Sequence, residues 1–337
     1  MSSPPAPNQS SQLMQATLVP MPQTFEDAIV ALKVFALQAF DRELIEQKLC
    51  YHTREHIEGV QRRASQIFQV VHPYLWDTAE RDRMAALLGL CAVAHDMVQI
   101  FVTQPTSHSP RRREAGVSET ATVAQLFTWM ERFNQQCQKL DPKSALPFTD
   151  QDFRLIQTAI EATICAYDPI EQAIFQPALT RSEPTLSPIA RILALADIGT
   201  LAMEGIEAYN REGSLLFLEE NLDVRSLLEQ HNLKRFTAED PELYENIRQR
   251  LLRRARFQVH LARSRLQRCP QELEGFPTTA IPILRHDVFP YLTPATIETI
   301  ESITPTADNT TLESLIAFFR FESAIPSVNG LSSSVNG

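Results

Sequence analysis

Residues 84–94 read Met-Ala-Ala-Leu-Leu-Gly-Leu-Cys-Ala-Val-Ala, carry no charge, and run directly into His95-Asp96. A helix that is apolar on every side has to be buried, so any fold of this chain must enclose this segment. Its end leaves an imidazole and a carboxylate at the edge of a core, where each needs a partner. The rest of the chain also reads as helix, with only nine glycines in 337 residues and almost no alternating β-branched runs. The expected fold class is all-α, and the length allows an ample core.

Thr24-Phe25-Glu26-Asp27 approximates a capping box and opens a helix to about 48. Further helices are expected near 54–72, 78–97, 117–139, 150–167, 188–208 and 214–235. A long helix at 241–269 carries eight arginines, and two short helices follow near 295–303 and 311–320. The arginines can grip an anionic partner or form a solvated face paired with acids, and the second reading is preferred. Phe318, Phe319 and Phe321 are expected to dock the end of the chain. Residues 1–22, rich in Ser, Pro and Gln, and the tail 326–337 read as disordered. Between them, 23–236 reads as the main helical domain and 237–325 as a helical C-terminal extension.

Four positions carry the functional signal: His56, His95, Asp96 and Asp197. Two imidazoles and two carboxylates suit one divalent transition metal, Mn, Fe, Co, Ni or Zn. An octahedral ion with four protein ligands keeps two positions for water, whose pKa can fall to about 7. Ser187 and Pro188 open the helix that ends on Asp197, as N-cap and first-turn proline. That carboxylate interrupts an aliphatic face, where leaving it unpaired would be costly. Arg191 is an alternative partner, on a poorly matched face. A second pair, His286-Asp287, lies between Pro282 and Pro290 and reads as structural or incidental.

The order His…His-Asp…Asp on an all-helical background resembles the HD-domain superfamily of metal-dependent phosphohydrolases. The segment Tyr51-His52-Thr53-Arg54-Glu55-His56 is similar to the metal-site entry of its cyclic-nucleotide phosphodiesterase branch. The resemblance implies an HD-domain helical bundle, with His56 as a ligand and His52 as the proton donor to the leaving group. Residues four apart share a helix face, and imidazole titrates near neutrality. The alternative is that Thr53 merely caps the helix and His52 is an exposed residue before it.

After His95-Asp96 comes a polar loop ending in Arg111-Arg112-Arg113. These three are candidates for a phosphate clamp, since guanidinium grips phosphate bidentately. They can equally be exposed charges that aid solubility. Ser118-Glu119-Thr120-Ala121 resembles a degenerate form of the Asn-Glu-x-x-Ser-Ala motif of some HD hydrolases. That makes Glu119 a candidate acid or base, unless it is a first-turn glutamate favoured by the helix dipole. The chain departs from the family at residues 160–168, which hold no histidine, and at Gln99, where the phosphodiesterases have one. One metal is therefore expected, and cyclic-nucleotide specificity is not supported.

The expected activity is hydrolysis of a nucleotide or small phosphoester by metal-activated water. The alternatives are a silent module that senses a nucleotide or binds a protein, and a structural adaptor. A net charge of -10 argues against nucleic-acid binding. No apolar run reaches the ~20 residues of a membrane span, and no secretory signal is visible. Five scattered cysteines suit a reducing cytoplasm and exclude a cysteine zinc site.

Overall fold

In the computed structural model, residues 22, 24–102, 104, 106, 108–142, 147–180, 186–230 and 239–321 are described. Of the segments expected to be disordered, 1–22 apart from residue 22 and all of 326–337 lie outside them, as does the end of the helix expected to 235. The fold is all-α, with two very short hairpins.

Helix α1 (Phe25–Glu46) opens on the Thr24–Asp27 capping box. Helices α2 (Arg54–Val71) and α3 (Thr78–Ala94) follow, the latter capped by the Asp77 side chain. As its sequence demands, α3 is enclosed: Leu87, Leu88 and every residue from Leu90 to Ala94 are buried. Helices α4 (Val117–Leu140) and α5 (Asp150–Glu161) come next, then a single turn α6 (Pro177–Thr180) and α7 (Pro188–Asp197). Ser187 caps α7, whose residues from Ile189 to Ala196 are all buried. The two apolar helices α3 and α7 touch each other, and α2 and α5 each pack against both. The ends of α3 and α7 thus deliver His95-Asp96 and Asp197 to one place.

Several boundaries differ from the sequence reading. The helix expected to 167 stops at Glu161, and strands β3 (Ala166–Asp168) and β4 (Ala173–Phe175) pair antiparallel beyond it. A smaller hairpin joins β1 (Phe101–Val102) to β2 (Arg112–Arg113), within the loop after His95-Asp96. The helix expected at 188–208 ends at Asp197, followed by α8 (Thr200–Glu204) and α9 (Ile206–Glu220). Gly205 separates these two at φ 85° and ψ -168°, a conformation open essentially to glycine alone. Helix α10 (Leu222–Glu229) completes this part.

The long helix α11 (Pro241–Leu273) continues past Pro270, one turn beyond the end expected at Cys269. Proline removes one helical hydrogen bond there, against which that turn buries Leu273 and an Arg265–Glu272 ion pair. A short turn α12 (Ile281–Ile283), a wide turn over Leu284–Val288, α13 (Pro294–Ile303) and α14 (Leu312–Phe319) finish the described chain. Cys269, Leu273, Phe276, Ala280 and Leu284 belong to the same core cluster as α3 and α7, so the extension shares the main core. Phe319 and Phe321 are buried and stack on Phe217 of α9. All five cysteines are free. No helix among the described residues is long and apolar enough to cross a membrane.

Candidate metal centre

His56 comes from the first turn of α2, His95-Asp96 from the end of α3, and Asp197 from the end of α7. One ligand atom from each of the four lies within 4.8 Å of all the others. His95 Nε2 is 3.0 Å from Asp96 Oδ2 and 3.6 Å from Asp197 Oδ1. His56 Nε2 is 3.2 Å and 3.6 Å from the same two oxygens. These close approaches are not hydrogen bonds, because both Nε2 atoms are buried without a hydrogen-bond partner. Orphaned nitrogens facing two carboxylates are costly for the protein alone and suited to a cation. His95 Nδ1 lies 3.0 Å from the Ala92 carbonyl, which fixes a proton on Nδ1 and leaves Nε2 free to ligate.

The electrostatics agree. Burial works against the His95 imidazolium, yet Asp96 and Asp197 hold its pKa well above the ordinary value. Burial pushes the Asp96 carboxyl up, but His95 and His52 hold it well below the usual range. Burial lowers the pKa of His56 despite the pull of Asp96. The pocket therefore draws in positive charge. A divalent ion would provide it while leaving the imidazoles neutral, as ligands must be.

Each carboxylate is oriented by a glutamine that sequence reasoning did not single out for this role. Gln99 Nε2 donates to Asp96 Oδ1 at 3.1 Å, and Gln176 Nε2 donates to Asp197 Oδ2 at 3.1 Å. Gln99 Oε1 in turn accepts from Arg113 at 2.6 Å. The buried Arg63 of α2 donates to the Ala196 carbonyl at 2.6 Å, tying down the helix end that bears Asp197. Ser118 and Thr122, one turn apart on α4, accept from the backbone N–H groups of Ile100 and Val98 and hold the segment after Asp96.

His52 is buried, and the Thr53 side chain makes no capping bond, so the capping alternative does not hold. Its Nδ1 lies 2.5 Å from Glu219 Oε1, and its Nε2 points to the centre, 3.8 Å from Asp96 Oδ2. Glu219 Oε2 accepts from the backbone N–H groups of Cys50, Tyr51 and His52, at 2.9, 2.9 and 3.1 Å. Burial pushes this carboxyl up, but His52 and those donors hold it down at about 2.

A cavity of about 650 Å³ opens beside the centre, bordered by His52, Asp96, Asp197, Glu119, Arg112 and Arg113. Burial raises the pKa of Glu119 against the opposing charge of Arg113. Glu212, beside Thr200 on the same cavity, is pushed up to about 7 by burial despite Arg63. It was not recognised from sequence. Arg111 is not on the cavity wall. It is buried, donates to the Glu219 and Gln47 carbonyls at 2.6 Å each, and lies over the Phe101 ring. Of the three candidate clamp residues, Arg111 is therefore already occupied by backbone carbonyls, and only Arg112 and Arg113 lie on the cavity wall. Arg191 also turns away from Asp197, to the Leu179 and Glu272 carbonyls. The His286 and Asp287 side chains are 90% and 61% exposed and pair with each other, away from this site.

No protein-family model, curated protein or solved structure matches this chain.

Proposed function

We propose that this chain is a metal-dependent phosphohydrolase of the HD type, acting on a nucleotide or small phosphoester. The observation that carries this reading is the convergence of His56, His95, Asp96 and Asp197, with unpartnered Nε2 atoms, at one side of a ligand-sized cavity. A divalent transition metal held by these four would supply Lewis-acid activation of water toward phosphorus. His52 is the proton donor: Glu219 holds its Nδ1–H, and a proton on Nε2 can pass to the leaving oxygen. Arg112 and Arg113 meet the phosphate charge at the cavity wall. Glu119, with its raised pKa, can hold or release a proton beside them.

Elemental analysis of tag-free protein is expected to find close to one divalent transition-metal ion per chain. Asp96→Ala should lose it, whereas His286→Ala and Asp287→Ala should keep it. His52→Ala should retain the metal and lower kcat on a phosphoester by ~10²–10⁴-fold. Unchanged metal content in Asp96→Ala would remove the four-ligand assignment.

A further inference from the structure

Six of the eight arginines on α11 are neutralised by carboxylates. Arg248 pairs with Glu245, Arg250 with Asp223, Arg256 with Asp308, Arg263 with Glu301, Arg265 with Glu272, and Arg268 with Asp168 and Glu171. For these six the sequence expectation of a face paired with acids holds, although Arg250 and Arg265 are buried rather than solvated. The remaining two behave differently. Arg253 makes no ion pair or hydrogen bond among the described residues, and Arg254 uses only its Nε, donating to the Gly213 carbonyl at 3.1 Å. Both line the cavity that holds the metal centre. Arg112, on β2, also lines it, and its side chain makes no ion pair or hydrogen bond among the described residues.

In a chain of net charge -10, four arginines of this helix line the cavity; Arg250 and Arg265 are paired with acids, and Arg253 and Arg254 form no ion pair among the described residues. The acid that acts on Arg254 there is Glu220, which forms no ion pair among the described residues, and burial raises its pKa despite Arg254 and Arg113. The same cavity wall carries the apolar side chains of Phe175, Phe257 and Leu261. The Arg254 guanidinium carbon lies 5.3 Å from the Phe257 ring centroid, so its stem is steadied while its terminal nitrogens keep their donors.

We infer that Arg253 and Arg254 form a second anion subsite of this cavity, reading a substrate with an anionic group at each end of an aromatic or apolar body. This rests on the proposed phosphohydrolase reading for the end at the metal. A nucleoside bisphosphate has this chemistry, with one phosphate at the metal, the other on α11, and the base against the aromatic wall. A monophosphate of the same nucleoside would leave the arginines unmatched. Arginine suits the task because its planar fork matches two phosphate oxygens at once.

The test is calorimetric binding of adenosine 3′,5′-bisphosphate and adenosine 5′-monophosphate to the metal-loaded full chain. The wild type should bind the bisphosphate at least ~10-fold more tightly. That preference should fall to near equality in Arg253→Gln/Arg254→Gln and return in part with lysine at both positions. Arg253→Gln alone, at an exposed position, should already reduce it, which keeps the test decisive if the double variant folds poorly. Equal binding of both probes by the wild type would overturn the subsite, as would an unchanged preference in Arg253→Gln and the double variant. Binding is read separately from turnover. An arginine-dependent preference in a protein without metal or hydrolysis would uphold the subsite and reject the phosphohydrolase. Hydrolysis without the preference would do the reverse.

Discussion

A single carboxylate, Glu219, serves four donors, three from the backbone before α2 and one from His52. Glutamine has only one acceptor atom and would turn an NH₂ group toward some of these donors. Glu219→Gln should cost about 1–3 kcal/mol for a group left unsatisfied, and it should lower kcat through loss of the His52 partner while the metal is retained. The carboxyl sits at about 2 in the folded chain against an ordinary 4.5. Its contribution is therefore full above about 4.5 and is lost as pH falls toward about 2. Melting curves at pH 6 and pH 3 should differ less for Glu219→Gln than for the wild type, and equal pH sensitivity would reject this role. His95, Asp96 and Asp197 were legible in the sequence because each lies at the end of an apolar helix, and His56 because of the resemblance carried by Tyr51–His56. Glu219 was not, because Leu218-Glu219-Glu220-Asn221 offers no local reason to prefer it to its neighbour. The same holds for Arg111 among three adjacent arginines, whose directions only tertiary packing decides.

At the scale of elements, caps made two helix starts readable: Thr24 and Ser187 accept the expected first-turn N–H, and Asp77, not singled out in the sequence, does the same for α3. The break after Asp197 was hidden because Leu201, Ala202 and Met203 continue the apolar pattern of α7. The next break, between α8 and α9, depends on backbone geometry at Gly205, where an added Cβ would also lie 3.3 Å from the Tyr291 ring. Gly205→Ala should cost about 1–3 kcal/mol and lower Tm by several degrees. A calorimetric Tm within a degree of the wild type would show that the α8–α9 corner tolerates an ordinary residue. The β3–β4 hairpin was missed because strands this short carry too few residues for an alternating pattern.

For the whole molecule, α11 is part of the core and of the cavity wall, and the helices after it pack into the core. A chain ending before Pro241 would uncover Phe217, Leu218 and Val224, which now pack on α11 and α14. Such a truncation should lose near-UV circular dichroism and bind a hydrophobic dye. A monodisperse truncated chain with native near-UV signal would show that residues 23–236 fold alone. The all-α class was visible from composition, but the cavity was not, since arginines facing solvent and arginines facing a cavity have the same helical spacing. Arg113, Gln99 and Asp96 form one hydrogen-bonded file from the cavity wall to the proposed ligand set. An anion that draws on Arg113 must therefore alter how Gln99 holds Asp96. By thermodynamic reciprocity, whatever factor the anion applies to ion affinity, the ion applies to anion affinity. Under the proposed function the cavity and the centre would then be two ends of one coupled equilibrium, with neither ligand's occupancy set without reference to the other.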